Sequence, residues 1–204
     1  HELPLPGGQG KALRLSQPGN SRIPIYLATL KPHALEYTGA VADGWLGTSF
    51  TPEHAAAHLD YIRRGAESAG RSFDDIDIEV GGTVAFGDDL EALVEPLKPG
   101  MAFTLGAMGS ATTNFYNDAF KRGGWEESAR EVQRLWVAGN RAEAVAKVPS
   151  ELVVQANLLG DSEMVRERIR AYKNAGVTRL RVAPMGRDLR GKLATLAKVM
   201  DLLH

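Results

Sequence analysis

RIPIYLATLKPHALEYTGAVADGWLGTSF, residues 22–50, alternates strand, helix and strand within thirty positions. Residues 23–29 (IPIYLAT) are a short β-branched and aromatic run, the pattern of a buried strand. Pro32 then opens a helix that reaches to about Ala42, since proline is tolerated in a helix's first turn. Residues 44–48 (GWLGT) are short enough to be a second strand.

The alternation continues downstream. Thr51 is placed to cap a helix with Pro52 at its first position and Gly70 just past its end. Leu59, Ile62, Ala66 and Ala69 fall on one face of that helix at helical spacing. Residues 76–86 (IDIEVGGTVAF) form the third strand candidate, where Gly81 and Gly82 mark a bulge or a close approach of backbone. Asp88 is expected to cap a helix over residues 89–98. A long, mostly helical stretch follows at about 101–159, broken by glycines in TLGAMGSATTNFY and KRGGW. Asp161 caps a helix whose face carries Val165, Ile169 and Tyr172 and which ends at Gly176. Residues 178–183 (TRLRVA) are the fourth strand, and the last helix runs over about 189–203. The opening HELPLPGGQGKALRL reads as a loop.

Four strands, each followed by helix, argue for a parallel α/β architecture in one domain over 1–204. Periodicity alone does not choose between a doubly wound sheet and a piece of barrel. Four βα units are half of an eight-unit barrel. Such a half has two open edges and an uncovered inner face, so it is expected to pair with another copy or with a missing half.

Bulk properties narrow the function classes. Lys plus Arg number 24 against 25 Asp plus Glu, a net charge of −1 that leaves no electrostatic footprint for nucleic acid. The absence of cysteine rules out disulfides and thiolate metal sites and fits a cytoplasmic protein. No apolar run approaches the roughly 18 residues of a membrane span, and no signal peptide is visible.

Three ordered segments carry a resemblance. RIPIYLATLKPHAL, AVADGWLGTSF and the following P-E resemble the fifth and sixth βα units of the luciferase-like monooxygenase family. LGAMGS-x3-NFY is similar to the insertion before that family's last strand, most closely in its deazaflavin-dependent branch. VP-x-EL and AGVTRLRVAP resemble its final helix and strand. The similarity runs from about Pro4 to Leu203. It implies a (β/α)8 TIM-type barrel, represented here by about the last four βα units with a helical insertion at about 101–159. It also implies an oxidoreductase, often dimeric, that moves a hydride between coenzyme F420 and a small organic substrate. An FMN-dependent monooxygenase and a non-catalytic half-barrel are the alternatives. In the family the first four units hold the usual catalytic acid or base, so no catalytic residue is assigned on this chain.

Candidate site residues follow from turns and helix starts. Thr29, Leu30, Lys31, His33 and Ala34 join the first strand to its helix, and a helix N-terminus presents free N–H groups to a phosphate. The resemblance places the cofactor's phosphate tail here; an ordinary turn with a solvated lysine is the plain alternative. Thr48 ends the second strand, where family members put a hydroxyl near substrate. Trp45 is either a flavin wall or core. Met108, Asn114 and Tyr116 sit in the insertion, which is either a lid over the barrel mouth or a surface hairpin. Arg181 alternates with Leu180 and Val182, so it points to the barrel interior, there to anchor an anion or to bridge a core carboxylate.

Other patterns carry little. His54 and His58 are four apart on one helix face, but HAAAH lacks the glutamate of a zinc-protease motif and no third ligand is near, so no metal is expected. GGQGK at 7–11 lacks P-loop spacing. Asp74, Asp75 and Asp77 do not match a calcium loop.

Overall fold

The computed structural model describes residue 7 and residues 16–110 and 112–203. The glycine-rich GGQGK pattern lies, Gly7 apart, outside the described residues. Strand β1 spans Tyr26–Leu27, helix α1 Pro32–Val41 and strand β2 Gly44–Leu46. Helix α2 covers Ala56–Ser68 after a 3-10 turn at Pro52–His54. Strand β3 runs Asp77–Phe86. The first unit therefore has the expected strand–helix–strand order, with both strands shorter than the apolar runs that announced them.

Helices α1 and α2 touch backbone to backbone. A Cβ on Gly39 would lie 1.9 Å from the Ile62 carbonyl oxygen, and one on Gly65 would lie 1.8 Å from that of Glu36. Leu59, Ile62 and Ala66 are buried as the helical spacing predicts, but Ala69 is exposed beyond the last turn. Thr51 does not cap with its side chain; its hydroxyl meets His54 Nδ1 at 3.2 Å instead.

The next described elements after β3 are helices: α3 (Leu90–Val94), α4 (Lys98–Gly106), α5 (Phe115–Phe120), α6 (Glu126–Val137), α7 (Arg141–Ala146) and α8 (Ser150–Gln155). Asp89, not Asp88, caps α3, accepting from Ala92 N–H. Gly124, at φ 84°, turns the chain between α5 and α6. Leu105, Phe120, Val132, Leu135 and Leu152 build a separate core here, joined to the sheet through Ala85 and Leu159.

A fifth strand, β4 at Leu158–Gly160, corrects the expectation that helix continues to residue 159. Helix α9 (Ser162–Asn174), strand β5 (Arg179–Pro184) and helix α10 (Leu189–Asp201) complete the chain. Asp161 caps α9 by accepting from Met164 N–H, as expected.

All strand pairs are parallel. Odd-numbered residues of β3 turn their backbone groups toward β2 and then toward β4: Asp77 N–H donates to Asp43 O at 3.0 Å and Gly87 N–H to Gly160 O at 3.0 Å. Even-numbered residues face β5, where Ile78 O accepts from Thr178 N–H at 3.1 Å and Val84 O from Met185 N–H at 2.9 Å. The order across the sheet is thus β1-β2-β3-β5, with β4 docked above the end of β2. One sheet face packs Trp45, Ile78 and Val80 against Leu35, Ile62 and Tyr172 of α1, α2 and α9. The opposite face carries Asp77, Glu79, Arg179 and Arg181.

Candidate functional site

A cavity of about 390 Å³ opens where the turn after β2 meets the middle of β3 and β5. Its floor is backbone-rich because glycines stand where side chains would collide. A Cβ on Gly81 would come 1.6 Å from the Arg181 carbonyl oxygen, and one on Gly82 would come 2.3 Å from that of Ala156. The sequence-based reading of a close backbone approach at this pair therefore holds. Thr48, Ser49 and Phe50 form one wall. Ser49 adopts a left-handed backbone at φ 51°, which is costly for a non-glycine residue, and its buried hydroxyl has no partner among the described residues. Such strain is held by the packing around it, here Phe50 edge-on to Trp45 at 6.1 Å.

Asn157 fixes the opposite wall. Its side-chain oxygen accepts from Thr83 N–H at 2.8 Å and its amide donates to Val153 O at 2.7 Å. It thereby satisfies the edge of β3 in the gap between β2 and β4. Met101, Thr104 and Phe120, from α4 and α5, overhang the cavity. The insertion thus covers the site, but through other residues than those singled out from sequence.

Charge enters the cavity at one point. Arg181 is the single charged side chain among the described residues lining it. It is 63% exposed, and its nearest carboxylate, Glu79, is 3.8 Å away. Arg179, two residues earlier, is held far more closely: its guanidinium meets Asp77 Oδ2 at 2.8 and 2.9 Å. Tyr26 also donates its hydroxyl to that carboxylate. The Tyr26 hydroxyl first, then Arg179 and Thr178, hold the Asp77 carboxyl below its ordinary range.

Of the residues expected to bind substrate, Thr48 lies in the cavity. Met108, Asn114 and Tyr116 do not line it. Asn114 is only 2% exposed because it caps α5: its side-chain oxygen accepts from Tyr116 and Asn117 N–H, and its amide donates to Thr104 and Leu105 carbonyls. All its hydrogen-bonding capacity is spent inside the insertion. Met108 lies exposed on the short link before α5, and Tyr116 is half-buried in that helix's first turn. Asn114→Ala is therefore expected to lower stability by about 2 kcal/mol, the upper range for losing a cap and stranding buried carbonyls. Its effect on ligand affinity should be small. Chemical denaturation alongside ligand titration checks this; a large affinity loss at unchanged stability would return Asn114 to the site.

The turn after β1 is enclosed by the insertion. Thr29 faces α1 through Thr38 Oγ1 at 2.7 Å, and its carbonyl accepts from Trp45 Nε1 at 2.9 Å. Trp45 is fully buried, the core alternative of the two. Leu30 O accepts from Arg122 at 2.6 Å, and the Lys31 ammonium sits 4.2 Å from the centre of the Phe115 ring. Lys31 takes φ −75° and ψ 145°, an unstrained cap conformation. His33 is exposed beside Glu36 at 3.4 Å, and Ala34 O accepts from Thr38 Oγ1 at 2.8 Å. The structure thus separates this turn from the cavity wall instead of merging the two.

Ser49, Asn157, Arg122 and the overhanging Met101, Thr104 and Phe120 escaped the sequence reading. Met101 and Thr104 are three apart on one helix, a spacing that shows a shared face but not what it faces.

Comparison with known proteins agrees with this geometry. The family model described as luciferase-like monooxygenase matches residues 4–179. A Mycobacterium tuberculosis protein named as a coenzyme F420-dependent oxidoreductase is 34% identical over 87% of this chain and 53% of its own length. The 5,10-methylenetetrahydromethanopterin reductase of Methanopyrus kandleri is 29% identical over 82% of this chain and 47% of its own length. The solved structure of the coenzyme F420-dependent tetrahydromethanopterin reductase from Methanopyrus kandleri superposes with a TM-score of 0.65 at 25% identity, over 87% of this chain and 49% of that one. An F420-dependent secondary alcohol dehydrogenase, at 14% identity, shares the fold with a TM-score of 0.65. The chain spans about half the length of the curated relatives it matches. Its parallel strands and helical insertion are those of a partial α/β barrel, and the chain belongs to the luciferase-like monooxygenase family.

Proposed function

We propose that this chain forms the C-terminal half of the active site of a coenzyme F420-dependent oxidoreductase acting on a small organic substrate. The observation that carries the reading is the cavity between the turn after β2 and the middle of β3 and β5, of a volume usual for small-molecule sites. Its residues fit a flat, anionic-tailed cofactor. Gly81 and Gly82 leave a floor without side chains, Met101 and Phe120 give an apolar overhang, and Arg181 supplies one positive charge. The relatives named for coenzyme F420 support the choice of cofactor.

A deazaflavin, when bound, supplies a carbon centre that accepts or donates a hydride. The chain's part is to bind and orient. Thr48 offers a hydroxyl at the mouth of the cavity, and Met101, Thr104 and Phe120 keep water from its overhung side. The turn from Thr29 to Ala34 remains a second candidate for the cofactor's phosphate, through the first N–H groups of α1 and the Lys31 ammonium.

The two sheet edges belong to the same proposal. Ile23, Ile25, Tyr37 and Val41 are exposed beside β1, and Leu189, Leu193, Met200 and Leu203 along α10. We infer that further barrel units, from the same polypeptide or from a second copy, cover these edges and complete the site. Among the described residues no helix is long and apolar enough to cross a membrane; we place the protein in the cytoplasm.

Titration of the full-length protein with coenzyme F420, followed by visible absorbance, tests the function. Saturable binding and a substrate-dependent change in cofactor oxidation state are expected. Saturation by FMN with no response to coenzyme F420 would replace this reading with flavin-dependent monooxygenation. Binding of neither would leave a non-catalytic barrel.

A further inference from the structure

We propose that Arg181 makes its side of the cavity an anion subsite, which receives a phosphate or carboxylate of the bound ligand. The inference rests on the reading of this cavity as a ligand site and goes further by fixing the ligand's charge.

Two arginines on one strand face show the contrast. Arg179 and Arg181 point the same way because strand side chains alternate. Each leans to an acid on β3 two positions before its registered partner: Arg179, opposite Glu79, reaches Asp77, and Arg181, opposite Gly81, approaches Glu79. Arg179 is consumed: its guanidinium holds Asp77 at hydrogen-bond distance, and the same carboxylate takes the Tyr26 hydroxyl and Thr178 Oγ1. Arg181 approaches Glu79 only to 3.8 Å, too far for a hydrogen bond. A loose, solvated pair of that kind is worth little, about 0–1 kcal/mol. Among the described residues the Arg181 guanidinium therefore keeps its planar fork of donors for another acceptor, and the acceptors that match such a fork are carboxylates and phosphates.

The surroundings favour an anion at this point. No aspartate or glutamate is among the described residues lining the cavity, so Glu79 competes for the guanidinium only from outside it and at 3.8 Å. Ala183 follows on the same strand face and is small enough to leave the approach open. Across from it, Thr83 and Thr48 can donate hydroxyl hydrogen bonds to the oxygens of the same anion. Gly81 and Gly82 lie alongside Arg181 and Val182 in register, so the anion would meet bare backbone on β3 and not a hydrocarbon side chain.

Two sources share this chemistry: the anionic tail of the cofactor and an anionic group on the substrate. Three probes separate them on full-length wild-type protein, Arg181→Gln and Arg181→Lys. These are coenzyme F420, its tail-free chromophore, and inorganic phosphate added to F420-loaded protein. If the subsite holds the tail, Arg181→Gln weakens coenzyme F420 by tenfold or more and leaves the tail-free chromophore unchanged. If it holds a substrate group, both chromophores bind as in wild type, and the phosphate affinity falls tenfold or more. In either case Arg181→Lys recovers part of the loss, since it keeps the charge without the fork. In the substrate-group case Glu79→Gln should tighten phosphate, because it removes the carboxylate 3.8 Å from Arg181. Equal affinities of wild type and Arg181→Gln for all three probes would overturn the proposal. Arg181-dependent phosphate binding by protein that never binds coenzyme F420 would retain the anion subsite and sink the cofactor reading instead.

Discussion

Gly81→Ala is expected to destabilise the protein by about 3 kcal/mol or more and to abolish ligand binding in the cavity. A Cβ at this position would stand 1.6 Å from the Arg181 carbonyl oxygen, far inside van der Waals contact, and the atom it meets is backbone in a paired strand. Overpacking commonly costs about 1–3 kcal/mol where side chains can shift aside. Here the relief must come from moving β5 away from β3, across six registered residue pairs. At roughly 2–4 °C per kcal/mol for a domain of this size, the melting temperature should fall by about 6–12 °C. Gly100 is the internal control. It lies in α4, where a Cβ would meet nothing within 4 Å, so Gly100→Ala should be neutral or stabilise by about 0.5–1 kcal/mol through helix propensity. Thermal unfolding of both variants decides the matter. A melting temperature for Gly81→Ala within a degree of wild type would mean that β3 and β5 do not pack at this separation.

The alternation of strands and helices was legible because each unit carries local punctuation. Pro32 starts α1, Asp161 caps α9 through Met164 N–H, and Gly70 and Gly176 end α2 and α9 at positive φ. The glycine pair at 81–82 was legible for a related reason, since two glycines inside a strand pattern have few uses other than close approach. Strand β4 was not legible. Three residues are too few to show a period of two, and Leu158–Gly160 follows the apolar run of α8 without a turn signal. Its position depends on an open stretch of β3 edge beyond β2, which is a property of the folded sheet.

The site was legible only in part. Alternation in TRLRVA places Arg181 on the same face as Arg179, and Thr48 follows β2 into the cavity. Asn114, expected to touch substrate, caps α5, and a polar residue in a glycine-rich loop has these two uses, ligand contact and helix capping. The signal that separates them was present: asparagine is a favoured N-cap, and an apolar helical run begins directly after it. The overhang by Met101, Thr104 and Phe120 depends on how two helices of the insertion settle over the sheet. No spacing within either helix encodes that.

Lowering the pH from 7 to 4 is expected to remove roughly 3 kcal/mol of stability through His58 alone. Its imidazole is 1% exposed, wedged beside Trp45 and Phe50 with ring centroids at 5.4 and 5.9 Å, and neither ring nitrogen has a partner among the described residues. Burial, reinforced by the nearby positive charge of Arg122, pushes its pKa down from 6.5 to about 4. The unfolded chain takes up a proton near pH 6.5, whereas the folded one does so only near pH 4. Between those values the unfolded state binds more protons, so stability rises with pH. The contribution is complete above about pH 6.5 and is lost as the pH falls to 4. Each unit of pKa difference corresponds to about 1.4 kcal/mol. Exposed carboxylates such as Asp77 and Glu131 also titrate in the acid range, so wild type alone does not isolate the effect. His58→Leu does, because it keeps an apolar group of similar size and has no proton to gain. Urea denaturation of both proteins from pH 7 to pH 4 should give curves that converge on the alkaline side and separate progressively in favour of the variant below pH 6.5. Parallel curves would show that the imidazole finds a proton acceptor or solvent in the folded state, and that the tight packing of Trp45, Phe50 and His58 opens in solution.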